Sequence, residues 1–298
     1  MPEENNGNGT ASPGLALPGS TPWRTITVGE NLKPIVETTI PWDVVEPLYP
    51  TEHTYKMGRG TWSWILWQDG SINFDDQKKY VDLAAAMGYE YVLIDNWWDT
   101  NIGRERMKDF IDYAHSKKVD VFLWYSSSGY WNDIVQGPTN YMDNPIIRKK
   151  EMKWLHNIGV KGIKVDFFGG DKQETMRLYE AILSDADDHG LMVIFHGCTL
   201  PRGWERMYPN YVGSEAVLAS ENLIFRQHFC DEEALMPVYI HLSATPSVAW
   251  SLVAHSSTNA STATMTEEAY ARPLMYSNWQ QPFYSKILFR ILRWRLIT

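Results

Sequence analysis

The chain has 298 residues, 44% of them hydrophobic, and a formal net charge of −9 with a pI near 5.4. That is enough apolar material for one large α/β domain or two ordinary ones. The acidic balance argues against nucleic acid and anionic membrane surfaces as partners, no apolar run approaches the length of a membrane span, and the two cysteines, Cys198 and Cys230, make neither a disulfide framework nor a metal knuckle.

Residues 1–58 are rich in Pro, Gly, Asn and Thr without strong periodicity, and read as a linker and lead-in. The N-terminus shows no basic, apolar, small-residue succession of a signal peptide. From 59 to 233 the pattern alternates. Strands are predicted at 61–67, 89–96, 119–125, 162–168, 191–196 and 211–215. Amphipathic stretches at helical spacing lie between them, at 75–87, 104–117, 146–158 and 172–189. Apolar strands alternating with helices of this length imply a parallel sheet covered by helices. A recurrence of about 30 residues suits a (β/α)8 barrel of the TIM type, with six βα units recognisable. A doubly wound sheet is the alternative, but no G-x-G-x-x-G follows any strand.

Polar residues gather where the strands are predicted to end: Trp67-Gln68-Asp69, then Asp95-Asn96-Trp97-Trp98-Asp99, then Trp124 to Ser127. The fourth strand carries Lys164 and Asp166, the fifth ends at His196-Gly197-Cys198, and the sixth leads into Ser214-Glu215 and Glu221. The stretch around Asp166 is the most telling: an apolar strand, one carboxylate at its end, a Gly169-Gly170 loop, then a helix. A charge inside an apolar run is expensive unless it has a task or a partner. In a barrel these strand ends converge on one cleft. Asp, Glu, Trp and Lys without a nucleophilic Ser or Cys motif point to glycoside hydrolysis, which uses one carboxylate as nucleophile or base and another as proton donor.

Each residue also has a structural reading. Asp166 fits a structural ion pair. Lys164 shares its strand face, because side chains repeat every two residues, and a Lys beside a carboxylate keeps it ionised in an ion pair as well as in a nucleophile. His196 reads equally as a core histidine, Trp97 and Trp98 as packing under a loop, and Glu215 and Glu221 as solvated acids. Fourteen Trp and sixteen Tyr suit sugar-stacking platforms or a large core.

The stretches GLALPGSTPWR, GRGTWSWILW, YEYVLIDNWWD, KGIKVDFFGGDKQ, IFHGCTLPRGWERMYPNYVGSEAV and ASENL resemble the catalytic barrel of glycoside hydrolase family 97, from about Gly14 to Glu233. The resemblance implies a calcium-dependent exo-acting α-glycosidase on an oligosaccharide or glycoside substrate. That family has a retaining branch typified by α-galactosidases and an inverting one typified by α-glucosidases. Asp166 matches the retaining nucleophile. The inverting branch lacks that Asp and has a Glu directly after the fifth-strand His, where this chain has Gly197. The resemblance further implies Glu221 as proton donor close to the metal, Glu215 as a calcium ligand, and Asp95, Trp98, Lys164 and His196 as sugar contacts. Spacing alone leaves Glu215 and Glu221 interchangeable.

Relatives in the family carry a β-sandwich domain before the barrel and a β-domain after it, and are periplasmic or secreted; the compartment of this chain is left open. By the resemblance, residues 1–58 lead in from a missing N-terminal domain, 59–233 form a partial barrel, and 234–298 read as an out-of-frame tail. Codons can be chosen from Thr245 so that a one-nucleotide shift reads Gly-Ser-Met-Glu-Phe-Gly-Gly, which resembles the family's next strand. A divergent C-terminal subdomain is the alternative for the tail. For the whole chain, the alternatives to a retaining α-galactosidase are an inverting α-glucosidase and an inactive carbohydrate-binding fragment.

Overall fold

A computed structural model describes residues 9–232, apart from 13, 22, 32, 130–132, 202 and 217–219. These residues belong to two compact units, one running to residue 216 and the other holding 220–232. The tail predicted to be out of frame, 234–298, lies outside the described residues.

The first unit is built on a six-stranded parallel sheet: β1 (Gly60–Trp62), β2 (Tyr91–Ile94), β3 (Asp120–Ser126), β4 (Gly162–Asp166), β5 (Met192–His196) and β6 (Tyr211–Glu215). Each strand pairs with its sequence neighbour, in the order β1 to β6. The sheet curls into a half-barrel, an incomplete (β/α)8 barrel. Four long helices return the chain: α1 (Phe74–Met87), α2 (Arg104–Ser116), α3 (Pro145–Ile158) and α4 (Gln173–Asp187). Two of them start on asparagine caps. Asn73 Oδ1 accepts from the Asp76 amide, and Asn144 Oδ1 accepts from the Ile146 and Ile147 amides. Such caps satisfy donors the first helical turn leaves open.

The first predicted strand differs from the structure. β1 stops at Trp62, and Trp64–Trp67 forms a helical turn. The buried Ser63 hydroxyl accepts from Gln77 Nε2 at 2.7 Å and bonds the Ser71 hydroxyl at 2.8 Å. This polar knot bends the chain out of the sheet despite the strand preference of its Trp and Ile residues. The expected polar end at Trp67-Gln68-Asp69 therefore moves back to Trp62.

Side-chain alternation sends the two faces of the sheet to different tasks. Val92, Ile94, Val121, Leu123, Ile163, Val165, Val193 and Phe195 join helix residues such as Phe110, Ile111, Leu155 and Ile182 in one fully buried cluster. The opposite face carries Trp62, Leu93, Phe122, Trp124, Lys164, Asp166, Ile194 and His196, as the pairings Trp62 with Leu93, Trp124 with Lys164 and Lys164 with Ile194 require. At the strand starts that face is apolar, with Tyr91, Phe122 and Met192 clustered. At the strand ends it is polar. Gly162 shows how tight the apolar layer is: a Cβ there would lie 2.2 Å from the Phe122 ring, which itself packs edge-on against Tyr91. Gly162→Ala is expected to cost about 1–3 kcal/mol through overpacking, read as a lowered Tm. An unchanged Tm would show that Phe122 does not depend on the missing side chain.

Candidate active site

Asp166 is the last residue of β4 and is 5% exposed. A carboxylate this buried needs strong partners, and each oxygen has them. Oδ2 accepts from Trp124 Nε1 at 3.0 Å and lies 3.0 Å from His196 Nδ1 and 3.7 Å from Lys164 Nζ. Oδ1 accepts from the Phe167 amide at 2.7 Å. Phe167 adopts φ +62°, a left-handed conformation unusual for a non-glycine residue. Its carbonyl accepts from the Ser127 hydroxyl at 2.9 Å, which ties the turn to the end of β3.

The charges continue outward on both sides. Lys164 Nζ donates to Asp95 Oδ2 at 2.9 Å and lies 4.2 Å from the Trp62 ring centroid, and Trp62 Nε1 donates to the same Asp95 oxygen at 2.7 Å. His196 Nε2 lies 2.8 Å from Glu215 Oε2, so the imidazole bridges Asp166 and Glu215. Burial alone would push the Asp166 pKa up. The charge and hydrogen bond of His196, the charge of Lys164 and the Trp124 donor outweigh it and hold the carboxyl well below the usual range. Burial alone would lower the His196 pKa, but Asp166, opposed by Lys164, and hydrogen bonds to both carboxylates raise it well above the ordinary value. Cys198 is no nucleophile: burial pushes its thiol up to about 12.

The structure thus brings Asp95, Lys164, Asp166, His196 and Glu215 together at the ends of β2, β4, β5 and β6. Trp98, expected as a sugar contact, is fully buried, donates its indole N–H to the Trp124 carbonyl at 2.8 Å and stacks on Trp154. With no exposed surface, that ring has nothing to offer a sugar. Glu221 is buried on the short 3-10 helix Ser220–Ile224 of the second unit. Two residues were not singled out from sequence. Trp62 was hidden because β1 ends five residues earlier than its apolar run. Trp124 stood among the residues at the end of the third strand but was given no role; it shares the parity of Ser126, the β3 residue that pairs with Asp166.

Gly197 gives the arrangement a steric condition. It follows His196 with φ +50°, and a Cβ on it would lie 2.9 Å from Asp166 Oδ1. A side chain at 197 and an in-place carboxylate at 166 compete for the same space.

The sequence profile of glycoside hydrolase 97 matches residues 54–217, more than half of the chain. The chain belongs to that family. A probable retaining alpha-galactosidase of Streptomyces bingchenggensis (strain BCW-1) is 28% identical over 221 residues, covering 69% of this chain and 32% of that protein. The retaining alpha-galactosidase of Bacteroides thetaiotaomicron is 29% identical over 224 residues, covering 69% of this chain and 31% of its own. The crystal structure of a beta-arabinopyranosidase is 80% identical, with a TM-score of 0.77 over 78% of this chain and 37% of that one. The chain therefore spans about a third of the length of these relatives. Among the described residues, no helix is long and apolar enough to cross a membrane.

Gly197→Ala is expected to push the Asp166 carboxylate out of place and to lower stability by about 1 kcal/mol from the left-handed backbone alone. A crystal structure and a urea midpoint check both; an unmoved carboxylate would refute the steric condition. Linkage gives a second expectation. A depressed Asp pKa contributes stability that is present above the ordinary value of about 4 and lost as pH falls toward the folded value. Relative to Asp166→Asn, wild-type stability should begin to fall as pH drops below about 4 and keep falling toward the lowered folded value. Parallel curves would mean that Asp166 is not held ionised.

Proposed function

We propose that this chain carries the catalytic barrel residues of a retaining exo-glycosidase that removes terminal α-galactosyl groups. The observation that carries the proposal is the buried carboxylate of Asp166, held ionised at the end of β4 against Gly197, which has no side chain to crowd it. A group poised this way is a nucleophile that needs no deprotonation. In the proposed reaction one Asp166 oxygen bonds to the anomeric carbon while the bond to the leaving oxygen breaks. Glu221 gives its proton to that oxygen. In the second step Glu221 takes a proton from water, the water oxygen bonds to the anomeric carbon, and Asp166 leaves with its electron pair. Two inversions return the original configuration.

Asp95 and Lys164 offer sugar hydroxyls an acceptor and a donor, and Trp62 adds an aromatic face beside them. Trp98 drops out of that set because it is buried. Carboxylate oxygens suit a hard cation such as calcium and imidazole nitrogen does not. By the family resemblance Glu215 would be a ligand of a calcium ion, and His196 is left to bridge Asp166 and Glu215. The ion would supply positive charge against the substrate's hydroxyls.

A second substrate is favoured by the 80% identity to a beta-arabinopyranosidase. A β-L-arabinopyranoside has the ring of an α-D-galactopyranoside with hydrogen in place of the hydroxymethyl group. The same nucleophile, Asp95 and Lys164 would serve both, and space around the ring's fifth carbon would decide between them. An inverting α-glucosidase has less support, because Gly197 supplies no base after His196.

Aryl α-galactoside, β-L-arabinopyranoside and α-glucoside, each with and without a calcium chelator, separate these readings. We expect turnover of the first or second, lost on chelation. Asp166→Ala should lower kcat at least about a thousandfold, and azide should partly restore it with inverted product. A variant at wild-type rate removes Asp166 from the mechanism. Activity insensitive to chelation removes the metal.

A further inference from the structure

Asp166 has three neighbours on Oδ2, and they differ in kind. Lys164 and His196 are cationic or able to be, and each also faces a second carboxylate, Asp95 and Glu215. Trp124 is neutral at every working pH, and its N–H donates to Asp166 at 3.0 Å. The tryptophan is held rigidly. It is 1% exposed, its carbonyl accepts the Trp98 indole N–H at 2.8 Å, and its ring meets the Phe167 ring edge-on with centroids 5.9 Å apart. Its strand register places it opposite Lys164, two residues short of Asp166, so the indole reaches forward along the sheet to the carboxylate.

The two oxygens of Asp166 are consequently unequal. Oδ2 has two nitrogens at 3.0 Å, enough to occupy its in-plane lone pairs. Oδ1 takes the single amide of Phe167 and borders Gly197, where no side chain stands. We propose that Trp124 is a positioning residue, whose indole N–H fixes Oδ2 so that Oδ1 is the oxygen presented to the anomeric carbon. This rests on Asp166 being the nucleophile. Charge alone attracts the carboxylate without fixing its rotation, whereas a rigid, neutral donor selects one rotation. The same N–H can stay on Oδ2 when Oδ1 becomes an ester oxygen, since Oδ2 is then the ester's carbonyl oxygen and still accepts.

Trp124→Phe keeps an aromatic ring and removes the donor. In the full chain, with the aryl glycoside that it turns over, kcat should fall about ten- to a hundredfold, the scale of a misplaced reacting group, with KM changed less than about threefold. A purely structural loss would move Tm and both constants together. A variant retaining wild-type kcat while Asp166→Ala is inactive overturns the role of Trp124 and leaves the nucleophile standing. An active Asp166→Ala instead overturns the nucleophile itself.

A second measurement needs neither activity nor a change at 124. In a 1H–15N spectrum, the indole N–H that shows cross-relaxation to the Phe167 ring should lie downfield in the wild type and move upfield in Asp166→Asn, as its acceptor loses its charge. An indole resonance unmoved by that substitution overturns the proposal whether or not the chain is active and whether or not Trp124→Phe folds.

Discussion

The buried negative charge of Asp166 is the constraint around which the strand ends are arranged. A lone ionised carboxylate with 5% exposure is untenable without compensation. The compensation comes from three different strands: Trp124 on β3, Lys164 on β4 itself and His196 on β5. Parallel register is what brings them together. Lys164 pairs directly with Trp124 on one side and Ile194 on the other, so residues far apart in sequence converge at the strand ends. Lys164 and His196 then need counter-charges of their own, which Asp95 and Glu215 provide. A line of alternating charge, Asp95, Lys164, Asp166, His196, Glu215, runs across the sheet from β2 to β6.

The same demand reaches the backbone. The Phe167 amide that bonds Asp166 belongs to a non-glycine residue held in a left-handed turn, and Gly197 has no Cβ where one would crowd the carboxylate. Strain of this kind persists where surrounding structure over-determines it, and here the Ser127 hydroxyl on the Phe167 carbonyl supplies part of that hold. The apolar layer beneath, with the Phe122 ring filling the space over Gly162, gives the charged layer a solid floor.

Much of this was legible in sequence, for reasons that can be named. β6 was read at its observed bounds, and β3 to β5 within two residues at each end, because apolar runs broken by turn residues are hard to mistake. α1 to α3 followed from their periodicity, to within a residue at each end. β1 was overextended because nothing local shows that Ser63 will be drawn into hydrogen bonds with Ser71 and Gln77. Asp166 and Lys164 stood out as charges in an apolar strand. Trp98 misled, since a tryptophan beside polar residues reads the same whether it faces a cleft or stacks under it on Trp154. Trp62 and Trp124 were missed for the converse reason: their chemistry resides in one indole N–H whose acceptor, Asp95 or Asp166, is 33 or 42 residues away.

The central claim is that Asp166 forms a covalent bond to the sugar. The most direct measurement is trapping with a 2-deoxy-2-fluoro glycosyl fluoride of the galactose or arabinopyranose series, followed by tryptic digestion and tandem mass spectrometry. Cleavage after Lys164 and Lys172 isolates peptide 165–172, which holds Asp166 and Asp171. The account predicts one fluoroglycosyl group on that peptide, at Asp166. A label on Asp171, Glu215 or any other carboxylate, or turnover of the reagent with a single inversion and no adduct, would contradict it.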